Sequence, residues 1–179
     1  VSTDMATPVA AKYGVELRRN CKVTDAESIE GGYRLTVPGG TVETRCVINA
    51  AGIWADKVHS MVEPANFHII PTRGEYYLLD KSEGTRVSHV IFQCPNELGK
   101  GVLVAPTVHG NLLVGPNAEP VKGNDTSCTS SGLEFVKATA QRSVPSINFG
   151  ESIRSFAGVR ANTDQSDFII GETAPGFIT

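Results

Sequence analysis

Short segments in which apolar and polar side chains alternate with a period of two run through this sequence and dictate a strand-rich fold. Tyr33, Leu35 and Val37 fall on one side of such a segment, and Arg34 and Thr36 fall on the other. Pairs of glycines, one of them after a proline, separate the segments as turns. The pattern predicts a meander of three strands over Cys21–Ser28, Gly32–Val37 and Thr41–Asn49.

Strand patterns continue through the rest of the chain, with one long helix among them. Ser131 and Glu134 have the spacing of a capping box, helical spacing follows, and Pro145 ends the pattern. Shorter helices are predicted over Asp4–Tyr13 and after Gly52. Further strands are predicted over Phe67–Pro71, Glu75–Asp80, Val87–Cys94, Val102–Ala105, Asn111–Gly115, Ile153–Arg160 and Phe168–Gly171. These elements indicate an α+β fold, with a mixed, largely antiparallel sheet of about five strands and the helix Ser131–Val144 packed on one face.

The charge balance and the cysteine spacing exclude several kinds of protein. The 179 residues carry 16 Lys and Arg against 19 Asp and Glu, a formal net charge of −3, which is not the basic balance typical of a nucleic-acid-binding domain. No apolar run approaches the length of about 20 residues that crosses a bilayer, so no transmembrane segment is predicted. The four cysteines lie far apart without a CxxC pair, which predicts free thiols in a cytoplasmic protein and no metal site.

The tetrapeptide Asn49–Gly52 stands between an apolar strand and a predicted helix. Small side chains at the carboxyl end of a strand let a ligand approach the backbone, and ligands of doubly wound sheets bind at such ends. A closely packed strand-to-helix turn would use the same small residues. The two interpretations stay open on this segment alone.

Arg160 is the strongest candidate for binding an anion. It follows the mostly apolar stretch Ser155–Val159, where a lone charge is costly unless it is paired. Its guanidinium can hold a carboxylate or a phosphate with two hydrogen bonds. An ion pair with Asp164 or Asp167 is the alternative.

Arg73 leaves two interpretations open in the same way, because it can contact a ligand or pair with Glu75. The neighbouring Tyr76 and Tyr77 alternate in direction on one strand, so only one of them points into a given cavity.

Five segments of the sequence resemble segments of the flavoprotein oxidoreductases of the D-amino-acid oxidase superfamily. The strand and turn VINAAGIWAD over Val47–Asp56 resembles the VxNAAGxWA segment that lies beside FAD in that family. The others are Asn20–Val23, Ile70–Tyr76 (IPTRGEY), Gly110–Pro116 (GNLLVGP) and Phe156–Arg160 (FAGVR). Because the five segments keep the family's order, they are a more specific signal together than any one of them alone.

The resemblance implies FAD as the cofactor and assigns site residues by position. It places FAD contacts at Val23, Ala50, Ala51, Gly52 and Trp54. It places substrate contacts at Arg160, Arg73 and Tyr76. The implied reaction is hydride transfer to the flavin from a carbon that bears a hydroxyl or an amine, and the catalytic base is not identified.

The resemblance also divides the chain into two domains. Residues 1–66 and about 156–179 match part of an FAD-binding domain, a Rossmann-type portion with the β-meander, and residues 67–155 match the substrate-binding domain. The sequence contains no GxGxxG fingerprint for the diphosphate. We therefore expect a middle fragment of a longer flavoenzyme, inactive alone and unable to hold FAD by itself. Its expected partners are a small anionic substrate, the rest of the polypeptide's FAD domain and an electron-accepting subunit, and membrane association of the parent stays open.

Within the superfamily, Gly99–Ala118 and Asp167–Gly171 resemble the glycerol-3-phosphate dehydrogenase-like branch. This implies oxidation of a small anionic hydroxy substrate, with glycerol 3-phosphate expected. The alternatives are an L-2-hydroxyglutarate oxidase-like or amino-acid oxidase-like flavoenzyme. A further alternative is a non-catalytic module that binds a small anion or a partner.

Overall fold

The computed structural model describes residues 3–94, 101–165 and 167–179. Gly99 and Lys100, which open one of the segments used for the branch assignment, lie outside the described residues. In the described part of the chain, no helix combines the length and the apolar composition needed to span a membrane.

The chain divides into two compact units. The first unit contains Val1–Ala50, Lys57–Ala65 and Ile169–Thr179, and the second contains Ala51–Asp56 and Asn66–Phe168. A 3-10 turn over Gly52–Trp54 leads into the short helix α2 (Ala55–His59), which the division splits before Lys57.

Two small sheets build the first unit. After helix α1 (Thr3–Lys12), the strands β1 (Asp25–Ile29), β2 (Gly32–Val37) and β3 (Gly40–Thr44) form an antiparallel sheet in that order. In the second sheet, β4 (Val47–Ile48) pairs in parallel with β11 (Phe177–Ile178), and β11 pairs antiparallel with β10 (Glu172–Ala174).

Phe177 lies at the centre of the first unit's core. The ring of Tyr33 meets it edge-on with the centroids 5.6 Å apart, and the ring of His59 does so at 6.0 Å. The Tyr33 hydroxyl donates to the carbonyl of Pro175 at 2.8 Å, and His59 Nδ1 shares a 3.0 Å hydrogen bond with the Thr179 hydroxyl. These bonds satisfy the polar ends of two buried rings.

The predicted third strand of the meander is wrong in its second half. Pairing with β2 stops at Thr44, whose hydroxyl donates to the carbonyl of Cys46 at 2.9 Å. Val47 then joins the other sheet, with its N–H donating to the carbonyl of Gly176 at 2.8 Å. The hydrogen bond of the Thr44 side chain to nearby backbone therefore marks the end of β3, and β4 pairs in a different sheet.

One five-stranded antiparallel sheet and helix α3 (Ser130–Ser143) build the second unit. The central strand is β5 (Ile69–Leu79), which pairs along one edge with β9 (Ser152–Thr163). Its other edge pairs with β7 (Leu112–Gly115) and β8 (Glu119–Pro120), and β6 (Leu103–Pro106) pairs with β7. The predicted largely antiparallel α+β fold is confirmed.

Helix α3 covers one face of this sheet. Its Val136 and Ala140 are fully buried and belong to the same core as Leu79, Leu112 and Val114 from the strands. The helix begins one residue earlier than predicted, because Thr129 is its N-cap and accepts a hydrogen bond from Gly132 N at 3.1 Å.

Long-range pairing corrects three of the predicted strands. The strands expected over Phe67–Pro71 and Glu75–Asp80 are one strand, because β9 pairs with every position from Ile69 onward through the expected turn. The segment Phe168–Gly171 is not a strand: the observed strand is β10 (Glu172–Ala174), only Gly171 exchanges backbone hydrogen bonds, with Thr179 at 3.0 Å, and the side chain of Phe168 is 90% exposed.

The segment Val87–Cys94 contributes one isolated bridge, from Ile91 to Val104.

The boundary between the compact units also differs from the domain boundary expected at residue 156. Strand β9 continues to Thr163 beside β5, so residues 156–168 belong to the second unit. The assignment of the units to FAD binding and substrate binding stays a prediction.

Candidate active site

The two faces of β5 carry different chemistry. Arg73 and Glu75 point to the face that α3 covers, where Glu75 reaches Thr129 before the helix. Thr72, Gly74 and Tyr76 alternate onto the opposite face, which α3 does not cover. We call this opposite face of β5 and β9 the open face.

Arg160 lies on the open face in register with Thr72. Its Nη2 donates to the backbone carbonyl of Asn117 at 3.1 Å, and a Cβ placed on Gly74 would lie 3.4 Å from the same nitrogen. The residue is exposed. Its hydrogen bond to Asn117 uses one of the five donors of the guanidinium.

The alternative in which Arg160 pairs with a nearby aspartate is not what the structure shows. Asp164 Oδ1 accepts a hydrogen bond from His68 N at 3.0 Å, and Asp167 Oδ1 accepts one from Phe168 N at 2.7 Å. Among the described residues, no carboxylate lies within ion-pair distance of Arg160. The guanidinium therefore keeps its charge available to a ligand.

A shallow slot lies next to Arg160, where Gly158 is exposed, while Pro116 and the Arg160 guanidinium cover Gly74. Gly74 and Gly158 oppose each other across β5 and β9, and a Cβ on Gly158 would have no atom within 4 Å. Beyond them, the rings of Tyr76 and Phe156 stack with their centroids 5.2 Å apart and their planes 9° apart. We call the space between Arg160 and this aromatic stack the glycine slot. Four strand residues separate its two ends, roughly 13 Å of backbone.

Tyr76, predicted to contact substrate, thus lies on the same face as Arg160. Its neighbour Tyr77 points to the covered face, where its ring meets Phe149 edge-on at 5.0 Å. Burial there raises the pKa of the Tyr77 hydroxyl.

Arg73 points to the covered face and is paired with carboxylates there, as the alternative interpretation expected, and its role as a substrate contact stays an untested prediction. Its Nη2 donates to Glu119 Oε2 at 2.8 Å, and its Nη1 donates to Asp125 Oδ2 at 3.0 Å and to the Ser127 hydroxyl at 3.0 Å. Its Nε lies 3.2 Å from Glu75 Oε1 without the alignment of a hydrogen bond. Three carboxylates around one buried guanidinium leave no charge to attract a substrate anion.

The electrostatics of this cluster follow from its hydrogen bonds. The bond to Glu119 raises the pKa of the Arg73 guanidinium, with burial acting against it. Hydrogen bonds from the Ser127 hydroxyl and N–H lower the pKa of the Asp125 carboxyl. The ion pairs of Arg73 with Glu119 and Asp125 tie β5 to β8 and to the loop before α3.

Asn117 is a residue of the site to which the sequence assigned no role. It is 8% exposed, and its Oδ1 accepts a hydrogen bond from Glu75 N at 2.7 Å. Its own carbonyl is the acceptor for Arg160. The only sequence signal is its place after Gly115 and Pro116 at the end of an apolar strand, and this signal does not distinguish it from an ordinary turn residue.

The predicted FAD contacts lie where small residues expose the backbone. In the first unit, Val23 is half-buried just before β1, and Ala50 is exposed after the end of β4. In the second unit, Gly52 is exposed with a φ of 59°, no atom lies within 4 Å of a Cβ placed on it, and Trp54 is 44% exposed. Ala51 is half-buried. The bare backbone at Gly52 fits the close approach of a cofactor, and the assignment of these five residues to FAD stays a prediction.

Known proteins share this architecture and sequence. The family model for FAD dependent oxidoreductases matches residues 6–179. The glycerol 3-phosphate dehydrogenase of Caloramator mitchellensis is 48% identical over 172 residues, which cover 94% of this chain and 36% of that protein. The glycerol 3-phosphate oxidase of Mycoplasma genitalium is 37% identical over 187 residues, which cover 99% of this chain and 49% of that protein.

A solved structure agrees with these matches. The dithionite-reduced L-α-glycerophosphate oxidase of Mycoplasma pneumoniae with FAD bound superposes with a TM-score of 0.81 at 27% identity, covering 96% of this chain and 47% of that one. The chain spans less than half of the length of each of these proteins. The resemblance inferred from the sequence is confirmed, and the chain belongs to the family of FAD-dependent oxidoreductases.

Proposed function

We propose that this chain supplies the substrate-binding sheet and one edge of the FAD domain of an enzyme that oxidises a small anionic alcohol, glycerol 3-phosphate. The observation that carries the proposal is the guanidinium of Arg160, which is not neutralised by any described carboxylate and borders the glycine slot. The names of the two similar curated proteins support the choice of substrate.

Arg160 favours a phosphate or a carboxylate on physical grounds. One of its five N–H donors is used by Asn117, and the planar fork of the others matches two oxygen atoms of one anion. Such charge-assisted bonds are among the stronger polar contacts in proteins. The residue therefore binds and orients the anionic end of the substrate.

The glycine slot limits what lies beside that anion. Its floor is the exposed backbone at Gly158, beside Gly74, which Pro116 covers, and the stacked rings of Tyr76 and Phe156 lie at the far end. A three-carbon alcohol fits the roughly 13 Å between the ends with room for its hydroxyl-bearing carbon at the bare floor.

FAD supplies the hydride acceptor when it is bound. On this chain, Ala50, Ala51 and Gly52 would contact it, with the bare backbone of Gly52 allowing the closest approach, and Val23 and Trp54 would add further contacts. The chain therefore binds and orients the substrate, and the cofactor supplies the redox chemistry.

The test is anaerobic reduction of the flavin in the full-length protein that contains this sequence. We expect glycerol 3-phosphate to bleach the flavin spectrum much faster than L-2-hydroxyglutarate or glycine at equal concentration. Faster bleaching by either of those compounds would replace the proposed substrate.

The matched variants are Arg160→Lys and Arg154→Lys. Both residues are exposed arginines of β9 whose side chains alternate onto the same face, but Phe156 lies between Arg154 and the slot. Losing the planar fork at residue 160 should raise KM about ten- to a hundredfold, and the change at residue 154 should leave KM unaltered. Equal KM values for the two variants would refute the role of Arg160.

A further inference from the structure

We propose that Asn117 is the positioning residue that aims Arg160 into the glycine slot. The proposal rests on the proposed function of Arg160 as the substrate anchor. It assigns to Asn117 no contact with substrate or cofactor, only control over the direction of the guanidinium.

Asn117 accepts two hydrogen bonds, one through its side chain and one through its backbone carbonyl. Its side-chain oxygen accepts a 2.7 Å hydrogen bond from Glu75 N, and its backbone carbonyl accepts the 3.1 Å hydrogen bond from Arg160 Nη2. The side chain therefore fixes the carbonyl relative to β5, and the carbonyl fixes the guanidinium. The bond from Glu75 N is buried, so water does not compete readily for it, and the bond from Arg160 is partly buried.

The sheet explains why an asparagine is needed at this place. Along one edge of β5, β8 pairs with Thr72 and Arg73, and β7 pairs from Tyr77 onward. Glu75 lies in the gap between these partners, opposite the connection from β7 to β8. The Asn117 side chain takes the place of the missing strand carbonyl for Glu75 N.

The same connection is held close to the strand by a glycine. A Cβ on Gly74 would lie 2.8 Å from Pro116 Cβ and 3.4 Å from the Asn117 carbonyl oxygen. Because Gly74 has no side chain, the connection can pack against β5 while the carbonyl of Asn117 points toward Arg160. An arginine on an exposed strand would otherwise sample many side-chain conformations, and this contact selects one before substrate arrives.

The test is a double-mutant cycle in the full-length holoenzyme with Asn117→Ala and Arg160→Lys. Asn117→Ala keeps the backbone carbonyl and removes the bond that holds it in place. We expect KM for glycerol 3-phosphate to rise about five- to thirtyfold, with kcat changed less than about threefold. In the Arg160→Lys background the same change should raise KM less than about twofold, because the geometry it maintains is already lost.

Asn117→Asp keeps an oxygen acceptor for Glu75 N but adds a negative charge near Arg160, so it should recover the melting temperature more than the affinity for the anion. Melting temperature and flavin absorbance report folding for every variant. If Asn117→Ala fails to retain flavin, Asn117→Ser, whose hydroxyl is too short to reach Glu75 N, takes its place in the cycle.

The outcomes separate the two proposals. An unchanged KM for Arg160→Lys would refute the anchor itself, whatever Asn117 does. A large effect of Arg160→Lys with effects that multiply in the double variant would keep the anchor and overturn the positioning role of Asn117.

Discussion

The carboxylate of Glu75 accepts hydrogen bonds from both the N–H and the hydroxyl of Thr129, at 2.9 and 3.0 Å. Thr129 is the N-cap of α3, so a buried acid of the central strand completes the start of the helix. The approach is close enough that a Cβ on Gly132, in the first turn, would clash with the carboxylate. The helix is thereby fixed to the strand that carries the open face.

The first prediction follows from this contact. Glu75→Ala should destabilise the protein by about 1–3 kcal/mol for each buried donor it leaves without an acceptor. Glu119→Gln is the matched control, because Glu119 also binds Arg73 but is half exposed, and it should cost less. Urea unfolding followed by circular dichroism measures both, and equal losses would show that Glu75 carries no special role.

The glycine slot gives a second prediction. Gly158→Ala should leave the melting temperature unchanged or raise it, because nothing lies near the added methyl and strand glycines cost stability. The methyl enters the slot, so KM for glycerol 3-phosphate should rise roughly tenfold or more.

Gly74→Ala is its partner experiment, since the same methyl would lie 2.8 Å from Pro116 Cβ and should lower the melting temperature. A Gly158→Ala variant with unaltered KM would show that substrate does not approach this floor.

The cofactor gives a third prediction. The polypeptide Val1–Thr179 carries no GxGxxG fingerprint, so most of the diphosphate contacts of FAD are missing from it. We expect the purified polypeptide to be colourless, and FAD added in excess to elute apart from it on gel filtration. A yellow protein with one flavin per chain would contradict this expectation.

The fourth prediction concerns acid stability. Hydrogen bonds from Arg86 hold the pKa of the buried Glu83 carboxyl below its ordinary value, with a further bond from Asn148 N. A lowered folded-state pKa adds stability at pH values above the unfolded-state pKa, and this stability is lost as the pH falls through the folded-state pKa. Glu83→Gln should therefore destabilise the protein at pH 7 and much less at pH 3.

Glu27→Gln is the control for acid stability, because the pair of Glu27 with Arg34 is exposed. Urea midpoints at the two pH values measure the effect. A Glu83→Gln loss that is the same at pH 3 and pH 7 would exclude a titrating carboxylate as its source.

Local patterns predicted the elements whose partners are close in sequence. Strand β2 has the predicted bounds Gly32–Val37, and α3 lies within one residue of its prediction. The central strand was divided in the prediction because Arg73 and Gly74 have the composition of a turn. Pairing with a strand more than 70 residues away overrides that local signal.

The candidate site shows the same limit. Arg160 could be singled out because a lone charge after an apolar stretch needs a partner or a ligand, and its substrate role stays a prediction. The sequence around Arg73 predicts a ligand contact as readily as that around Arg160. However, Glu119 and Asp125, which pair with Arg73, lie 46 and 52 positions away in the sequence. Asn117 acts through a backbone carbonyl, and no residue pattern reports where a carbonyl points.

The floor of the glycine slot has a mechanical consequence. Side chains that line a binding site can rotate away from a poorly fitting ligand, but Gly74 and Gly158 have none to rotate. The backbone of paired strands yields far less, and the ionic tie of Arg73 behind it stiffens the support. Under the proposed function, a ligand one methyl too thick would meet unyielding backbone here, and discrimination would come from low compliance instead of from a specific contact.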